Sequence, residues 1–190
     1  RNYTDWLIEN GSISTLFPRS GLGQMYEFDL EKVRSVIDIV TDQAGGRIPV
    51  MPGCGGAYDG GRDPVDNPQR YYDESIELSN HAAERGCIAV VLVMPYALHG
   101  REMDRSQVEE VTFDYYRTVA QSISLPVLMY QPPVFRRRYR TTSNLVARLI
   151  DEVPQIVGIK YSTADLGRIM RIAQRIDGRD WVLISGDEVV

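Results

Sequence analysis

Short runs of β-branched and other apolar residues alternate with segments of helical periodicity along the whole chain. In the helical segments the apolar residues recur every three to four positions, as Leu30, Val33, Ile37 and Val40 do. This strict alternation predicts an α/β fold, a parallel sheet with helices packed outside it. The runs predicted as strands are residues 13–17, 48–51, 88–94, 126–130, 156–160 and 181–185.

Helix boundaries are also marked in the sequence. Asn67 followed by Pro68 is a start signal, because asparagine caps a helix and proline suits its first position. Ser106 and Glu109 have the spacing of a capping box, so a helix is expected to begin beside them and to reach about Gln121.

Two architectures fit this order of elements: an open doubly wound sheet, and an arc of a (β/α)8 TIM barrel. In both, functional groups gather at the carboxyl ends of the strands. A complete barrel usually takes about 250 residues, whereas this chain has 190. A barrel would therefore be incomplete here, with residues 1–190 forming part of one barrel domain.

Charge and composition exclude several classes of function. The net charge of −5 gives no bulk attraction to nucleic acid or to an anionic membrane, and no apolar run is long enough for a membrane helix. Cys54 and Cys87 form no CxxC pair, so we expect two buried apolar side chains in a cytoplasmic protein. His81 and His99 have no partners at the spacing of a metal site, and no cofactor is expected.

Lys160 is unusual because lysine is rare in this chain. Of the 21 basic residues only Lys32 and Lys160 are lysines, and Lys160 ends an apolar strand. A partly desolvated lysine can lose its proton and attack a carbonyl, which arginine cannot do. On composition alone two interpretations have equal weight: a nucleophilic lysine, and a lysine at a strand end whose amine simply reaches water.

Tyr130 ends the strand before the one that Lys160 ends, so the phenol and the amine are expected at one rim of the sheet. An amine that forms an imine needs an acid to protonate the departing hydroxyl, and a phenol can serve. Val157 and Ile159 are expected to wall the amine and lower its pKa. Taken alone, Tyr130 would more often be a core tyrosine; the pair favours a lyase or aldolase.

Three further segments are candidates for binding or covering a substrate. The turn formed by Ser20, Gly21, Leu22 and Gly23 exposes backbone N–H groups that suit a carboxylate, although glycines also serve any tight turn. Arg136 is the preferred member of a basic cluster that could bind an acidic substrate, or could lie in a solvated or subunit-contact loop. The loop of residues 53–66 fits either a lid or an insertion.

Several segments together resemble the family of dihydrodipicolinate synthase and N-acetylneuraminate lyase, which are class I aldolases. The strongest likeness is IVGIKYST, which resembles the segment of that family's imine-forming lysine, and VLMYQPP resembles its tyrosine segment. The turn SGLGQMYEF, with the helix after it, and the segments LVMPY and LISGDE match in place and order.

The resemblance implies a (β/α)8 barrel with Lys160 as the imine lysine and Tyr130 as the proton-relay tyrosine. It places Gly186 and Tyr96 near a bound 2-oxo acid such as pyruvate, and Tyr96 also near a subunit interface of a homotetramer or dimer. Against the family pattern, the chain lacks the first strand, the last strand and the terminal helices.

The glycine turn departs from the family's GTTGE pattern. Gly21, Leu22 and Gln24 stand where the family has two hydroxyls and a glutamate, and Leu22 is expected to remove the hydroxyl that would link to Tyr130. Ser20 is a weak substitute. These changes leave three functions open: a divergent 2-oxo acid aldolase, a 2-keto-3-deoxy sugar-acid dehydratase, and a non-catalytic barrel that binds sugar acids or other metabolites.

Overall fold

A computed structural model describes residues 2–57, 67–133 and 139–186 of the chain. The helices are α1 (Asn2–Asn10), α2 (Leu30–Ala44), α3 (Pro68–Glu84), α4 (Arg105–Gln121), α5 (Ser143–Glu152) and α6 (Leu166–Ile176). The strands are β1 (Val90–Val93), β2 (Val127–Gln131), β3 (Ile156–Tyr161) and β4 (Val182–Ser185). Among these helices none combines the length and the apolar character that a membrane crossing requires.

The four strands form one parallel sheet in the order β1-β2-β3-β4. Helices α4, α5 and α6 make the three connections between consecutive strands, as the alternation predicts. Tyr130 and Lys160 are direct partners in the register between β2 and β3. The carboxyl ends of both strands therefore meet at one rim of the sheet.

The first two predicted strands form no continuous ladder. Leu16 makes a single parallel bridge with Val50, and Gly53 makes another with Val91, the second residue of β1. Both segments therefore run beside the sheet. The ladder is interrupted because Pro49 and Pro52 have no N–H to donate, and their carbonyl groups accept hydrogen bonds instead.

Asn67 caps α3 as predicted, and three other helices begin at caps of the same kind. Asp29, Asn67, Thr142 and Asp165 each accept a hydrogen bond from the helix that follows. The prediction of a capping box at Ser106 and Glu109 was wrong.

The capping box of α4 lies two residues earlier, at Asp104 and Gln107. The Asp104 carboxylate accepts from the Gln107 N–H, and the Gln107 side chain accepts from the Asp104 N–H, both at 2.9 Å. An aspartate caps as well as a serine, and it starts the helix at Arg105.

The two faces of the sheet have different environments. One face packs against the helices, and its buried residues include Leu92, Met129 and Ile159. The opposite face, called the inner face below, carries a smaller cluster, in which Phe17, Met51 and Ile184 are partly buried. The buried members of this inner cluster are Met25, Val91, Val93, Leu128 and Tyr130.

Both cysteines are buried free thiols, as predicted. Burial raises the pKa of Cys54 to about 12 and that of Cys87 to about 11. At neutral pH both side chains are therefore uncharged and pack as small apolar groups.

Candidate active site

Lys160 and Tyr130 lie side by side on the inner face of the sheet. Side chains alternate between faces along a strand, and residues in register on parallel neighbours share a face. The Lys160 Nζ lies 4.5 Å from the centroid of the Tyr130 ring and 5.4 Å from that of Phe17. The two rings meet edge to face, with 5.9 Å between their centroids. The amine is therefore held against an aromatic wall.

This wall changes the acidity of both groups. Burial lowers the pKa of Lys160, because desolvation disfavours the ammonium form. Burial also raises the pKa of Tyr130, and the hydroxyl of Ser162 partly opposes that increase. At neutral pH the phenol is therefore protonated and able to donate, beside an amine that loses its proton more readily than a free lysine.

The residues that shelter Lys160 differ from the predicted ones. Ile159 packs on the opposite, helix-covered face, because neighbouring residues of a strand point in opposite directions. The desolvating contacts come from the rings of Phe17 and Tyr130, and Phe17 is distant in sequence.

Gly186 lies against Lys160 and Ser162. A Cβ at position 186 would stand 3.2 Å from the Lys160 Cε and would overlap the Ser162 Oγ. The Gly186 N–H donates to the Tyr161 carbonyl at 3.1 Å, which fixes the end of β4 beside β3. The absence of a side chain at position 186 thus leaves room for the lysine side chain and the serine hydroxyl.

The glycine turn meets the pair at the Tyr130 hydroxyl. A Cβ at position 21 would stand 3.0 Å from the Tyr130 Oη, so Gly21 is the turn residue beside the phenol. Leu22, which we expected there, is fully exposed. The Ser20 hydroxyl accepts a hydrogen bond from the Gly23 N–H at 3.2 Å. The hydroxyl that the family pattern would place beside Tyr130 is therefore absent because position 21 is a glycine, and the Ser20 hydroxyl stabilises the turn itself.

A cavity opens beside Tyr130 on the inner face of the sheet. Phe17, Met25, Tyr96 and Tyr130 line it, together with Arg19, a residue that the sequence analysis did not identify. The Tyr96 hydroxyl accepts a hydrogen bond from the buried Gln131 side chain at 2.8 Å. Tyr96 thus belongs to the wall of the cavity; its predicted place at a subunit interface stays a prediction.

Some predicted elements lie outside the described residues. Arg136 is among them, as is most of the loop of residues 53–66, of which residues 53–57 are described. Within the described part of the chain, no three histidine, cysteine, aspartate or glutamate side chains come together as a metal site.

Sequence reasoning missed Ser162 and Arg19. Ser162 had an available signal, because it lies two residues beyond Lys160 and strand alternation puts it on the same face. Arg19 had none, since its partners are backbone carbonyl groups of residues more than thirty positions away and of Met25.

Known proteins share this arrangement of elements. The chain is 31% identical to 4-hydroxy-tetrahydrodipicolinate synthase of Oleidesulfovibrio alaskensis over 99% of its length and 56% of that protein. It is also 31% identical to the enzyme of the same name from Phenylobacterium zucineum, over 95% of this chain and 53% of the relative. The chain thus spans about half the length of these relatives.

Solved structures show the same fold. Dihydrodipicolinate synthase from Aquifex aeolicus superposes with a TM-score of 0.76 at 23% identity, covering 98% of this chain and 56% of that one. The Acinetobacter baumannii synthase, solved with pyruvate, gives 0.75 at 26% identity over the same shares. N-acetylneuraminate lyase from Mycoplasma synoviae gives 0.72 at 17% identity, over 95% of this chain and 53% of the lyase.

These likenesses confirm the predicted (β/α)8 barrel architecture, of which the chain covers a part. The sequence profile of the Dihydrodipicolinate synthetase family matches residues 1–190. With its parallel sheet, its strand-end lysine and its paired tyrosine, the chain belongs to the dihydrodipicolinate synthetase family.

Proposed function

We propose that the protein is a Schiff-base lyase or aldolase in which Lys160 bonds covalently to pyruvate or a related 2-oxo acid. The observation that carries the proposal is the pairing of Lys160 with Tyr130 on the inner face of neighbouring strands. Membership of the dihydrodipicolinate synthetase family supports it, as does the pyruvate bound to the Acinetobacter baumannii relative.

Imine formation begins with the uncharged amine. The Lys160 Nζ attacks the ketone carbon, a proton passes from the nitrogen to the former carbonyl oxygen, and a neutral carbinolamine forms. The lowered pKa of Lys160 increases the fraction of amine that can attack at a given pH. Loss of water then gives the C=N bond, and the departing hydroxyl needs a proton.

Tyr130 supplies that proton. Its raised pKa keeps the phenol protonated until the transfer, and the transient phenolate can then retake a proton from the substrate carbon beside the C=N bond. The protonated imine then accepts electrons from the neighbouring carbon. Removal of a proton from that carbon gives an enamine, which can add to an aldehyde; the reverse steps cleave the same carbon–carbon bond.

Trapping with a reducing agent tests the proposal. Incubation of the full chain with pyruvate and sodium cyanoborohydride should fix the reduced adduct on Lys160, as peptide mass spectrometry would show. Lys160→Ala should abolish labelling. Lys32→Ala is a matched control, because Lys32 is exposed and pairs with Asp29 at 2.8 Å, and labelling should persist. Absence of an adduct with every 2-oxo acid tried would refute the proposal.

A second candidate is a barrel that binds sugar acids or other metabolites without turnover. Gly21 favours it, because the turn offers the Tyr130 hydroxyl no hydroxyl partner at that position. Ligand-dependent thermal stabilisation without an adduct on Lys160 would support this candidate over the enzyme. The sugar-acid dehydratase remains within the first proposal, since it uses the same imine to expel a hydroxyl.

The proposed reaction uses the Lys160 side chain as its nucleophile and requires no cofactor. We place the protein in the cytoplasm, supported by the two buried free thiols. A homotetramer or dimer stays a prediction from the family resemblance.

A further inference from the structure

Arg19 is a buried cation without a carboxylate partner among the described residues. Its side chain is 6% exposed. The Nε donates to the Met25 carbonyl at 3.2 Å, one terminal nitrogen donates to the carbonyls of Gly53 and Gly55, and the other to that of Gly56. All these acceptors are neutral. The guanidinium thus fastens the glycine turn to the following loop and keeps its full charge.

Among the described residues, the carboxylate that acts on Arg19 is already engaged. Glu74 contributes the weakest of the interactions that act on Arg19. One Glu74 oxygen pairs with Arg70 at 2.6 Å, and the other accepts from the Ala57 N–H at 2.8 Å. Burial lowers the pKa of the Arg19 guanidinium, yet arginine remains protonated in proteins. The positive charge therefore persists in a weakly screened environment.

The backbone at Arg19 is also unusual. Its φ of 56° lies in the left-handed region, where residues with a side chain are uncommon. Such a conformation persists only where the surrounding structure imposes it, and it is often found at functional sites. Gly53 packs so closely that a Cβ there would overlap the Arg19 carbonyl oxygen. This close contact fixes the Arg19 main chain, and the hydrogen bonds to the carbonyl groups fix its guanidinium.

Arg19 and Tyr130 line the same small cavity, whose volume of about 20 Å³ gives room for about one water molecule, so Arg19 lies close to the phenol. A fixed positive charge beside a poorly solvated cavity attracts an anion strongly. We propose that Arg19 is the specificity-determining residue whose charge, fixed beside Tyr130, makes the site favour anionic 2-oxo acids over neutral ketones. The inference rests on the proposed function for its substrate class. It assigns the preference for a carboxylate to the Arg19 guanidinium, which lies beneath the glycine turn.

The test compares pyruvate with its neutral methyl ester. Both compounds are offered to the full chain with cyanoborohydride, and the ratio of adduct formation rates on Lys160 is normalised to the unmodified protein. Arg19→Gln keeps one of the three donor nitrogens but loses the charge, so the preference for pyruvate should fall by about tenfold or more. Arg19→Lys keeps the charge, so the preference should remain near that of the unmodified protein.

Matched controls separate the local charge from other effects. Arg34→Gln removes an exposed arginine that pairs with Glu77, and it should leave the preference unchanged. Arg19→Gln could fail to fold, so Met25→Glu offers a second route: the Met25 side chain lines the same cavity, and a carboxylate there would neutralise Arg19. The preference should fall in Met25→Glu and persist in Met25→Gln.

Binding is measured in parallel as the thermal stabilisation that each compound gives. If adducts form but the loss of charge at position 19 leaves the preference intact, the inference falls and the proposed function stands. If pyruvate forms no adduct yet stabilises the unmodified protein more than Arg19→Gln, the inference stands and the imine chemistry falls. If neither compound reacts or binds, both are overturned.

Discussion

The Lys160 amine lies over the ring of Tyr130, 4.5 Å from its centroid, with both residues in register on adjacent parallel strands. A nucleophile and a proton donor are thus adjacent, and both are carried by strands of the sheet and not by loops. Two residues on rigid strands keep their separation better than two on mobile loops, which matters because a 1 Å misplacement can cost about 10²-fold in rate.

The first prediction concerns the acidity of the two lysines. Burial lowers the pKa of Lys160, whereas the Asp29 carboxylate raises that of Lys32. On raising the pH, Lys160 should therefore lose its proton first. Reductive ¹³C-methylation followed by NMR titration would give one resonance for each lysine side chain, assigned with Lys32→Arg. A Lys160 midpoint equal to or above that of Lys32 would contradict this order.

Adduct formation should follow the same titration. Its rate should rise with pH as the Lys160 ammonium becomes an amine, and it should level off above the lowered pKa. In Tyr130→Phe the amine can still attack but the phenolic proton is absent, so the plateau should fall by about 10²-fold or more. Phe17→Leu, which changes the other ring near the amine, should affect the rate less.

Much of the scaffold could be predicted, because the signals are local. Apolar periodicity predicted four of the strands and their connecting helices, and within IAVVLVM the residues Val90–Val93 form a fully buried strand, as the continuous apolar character indicates. The first two predicted strands form only isolated bridges. Their apolar residues indicate strands, but Pro49 and Pro52 have no N–H group and can only accept hydrogen bonds through their carbonyl groups.

The site was predictable where it lies at consecutive strand ends, as Lys160 and Tyr130 do. Strand alternation also indicates Ser162, because it follows Lys160 by two positions. The contacts of Phe17 and Arg19 depend on how separate loops fold back, and Gly21 rather than Leu22 faces the phenol because of the local turn geometry. No sequence spacing encodes these approaches.

Gly186 should tolerate no side chain. A Cβ there would overlap the Ser162 hydroxyl and approach the Lys160 Cε to 3.2 Å. Gly186→Ala should therefore displace the lysine and reduce adduct formation by about 10²-fold. Gly100→Ala is the matched control, because the same methyl group would meet only the flexible Met103 side chain, at 3.4 Å. Equal rates in the two variants would show that Gly186 does not hold the site open.

Ser162 should tune the phenol. Its hydroxyl lowers the pKa of Tyr130 against the larger effect of burial, because a hydrogen bond to the phenolate stabilises the charged form. Ser162→Ala should therefore raise the pKa of Tyr130, and Ser162→Thr should restore it. Titration of ¹³Cζ-labelled tyrosine, with the resonance assigned in Tyr130→Phe, would measure the change. An unchanged Tyr130 titration in Ser162→Ala would exclude the interaction.

Gly21→Ser would return a hydroxyl to the turn beside Tyr130. The new Cβ would stand 3.0 Å from the Tyr130 Oη, a tight contact that the free end of the phenol can relieve by a shift of a few tenths of an ångström. A serine hydroxyl there can exchange a proton with the phenol, so turnover of the imine should increase while the amount of adduct on Lys160 stays the same.

Gly21→Ala is its control, since it adds the same Cβ without the oxygen. A gain in turnover shared by both variants would point to backbone stiffening, because alanine restricts the turn as serine does. A gain confined to Gly21→Ser would assign the effect to the hydroxyl. If the unmodified chain forms the adduct and neither variant increases turnover, the missing hydroxyl is not what limits proton transfer, and the path must run through Ser162 instead.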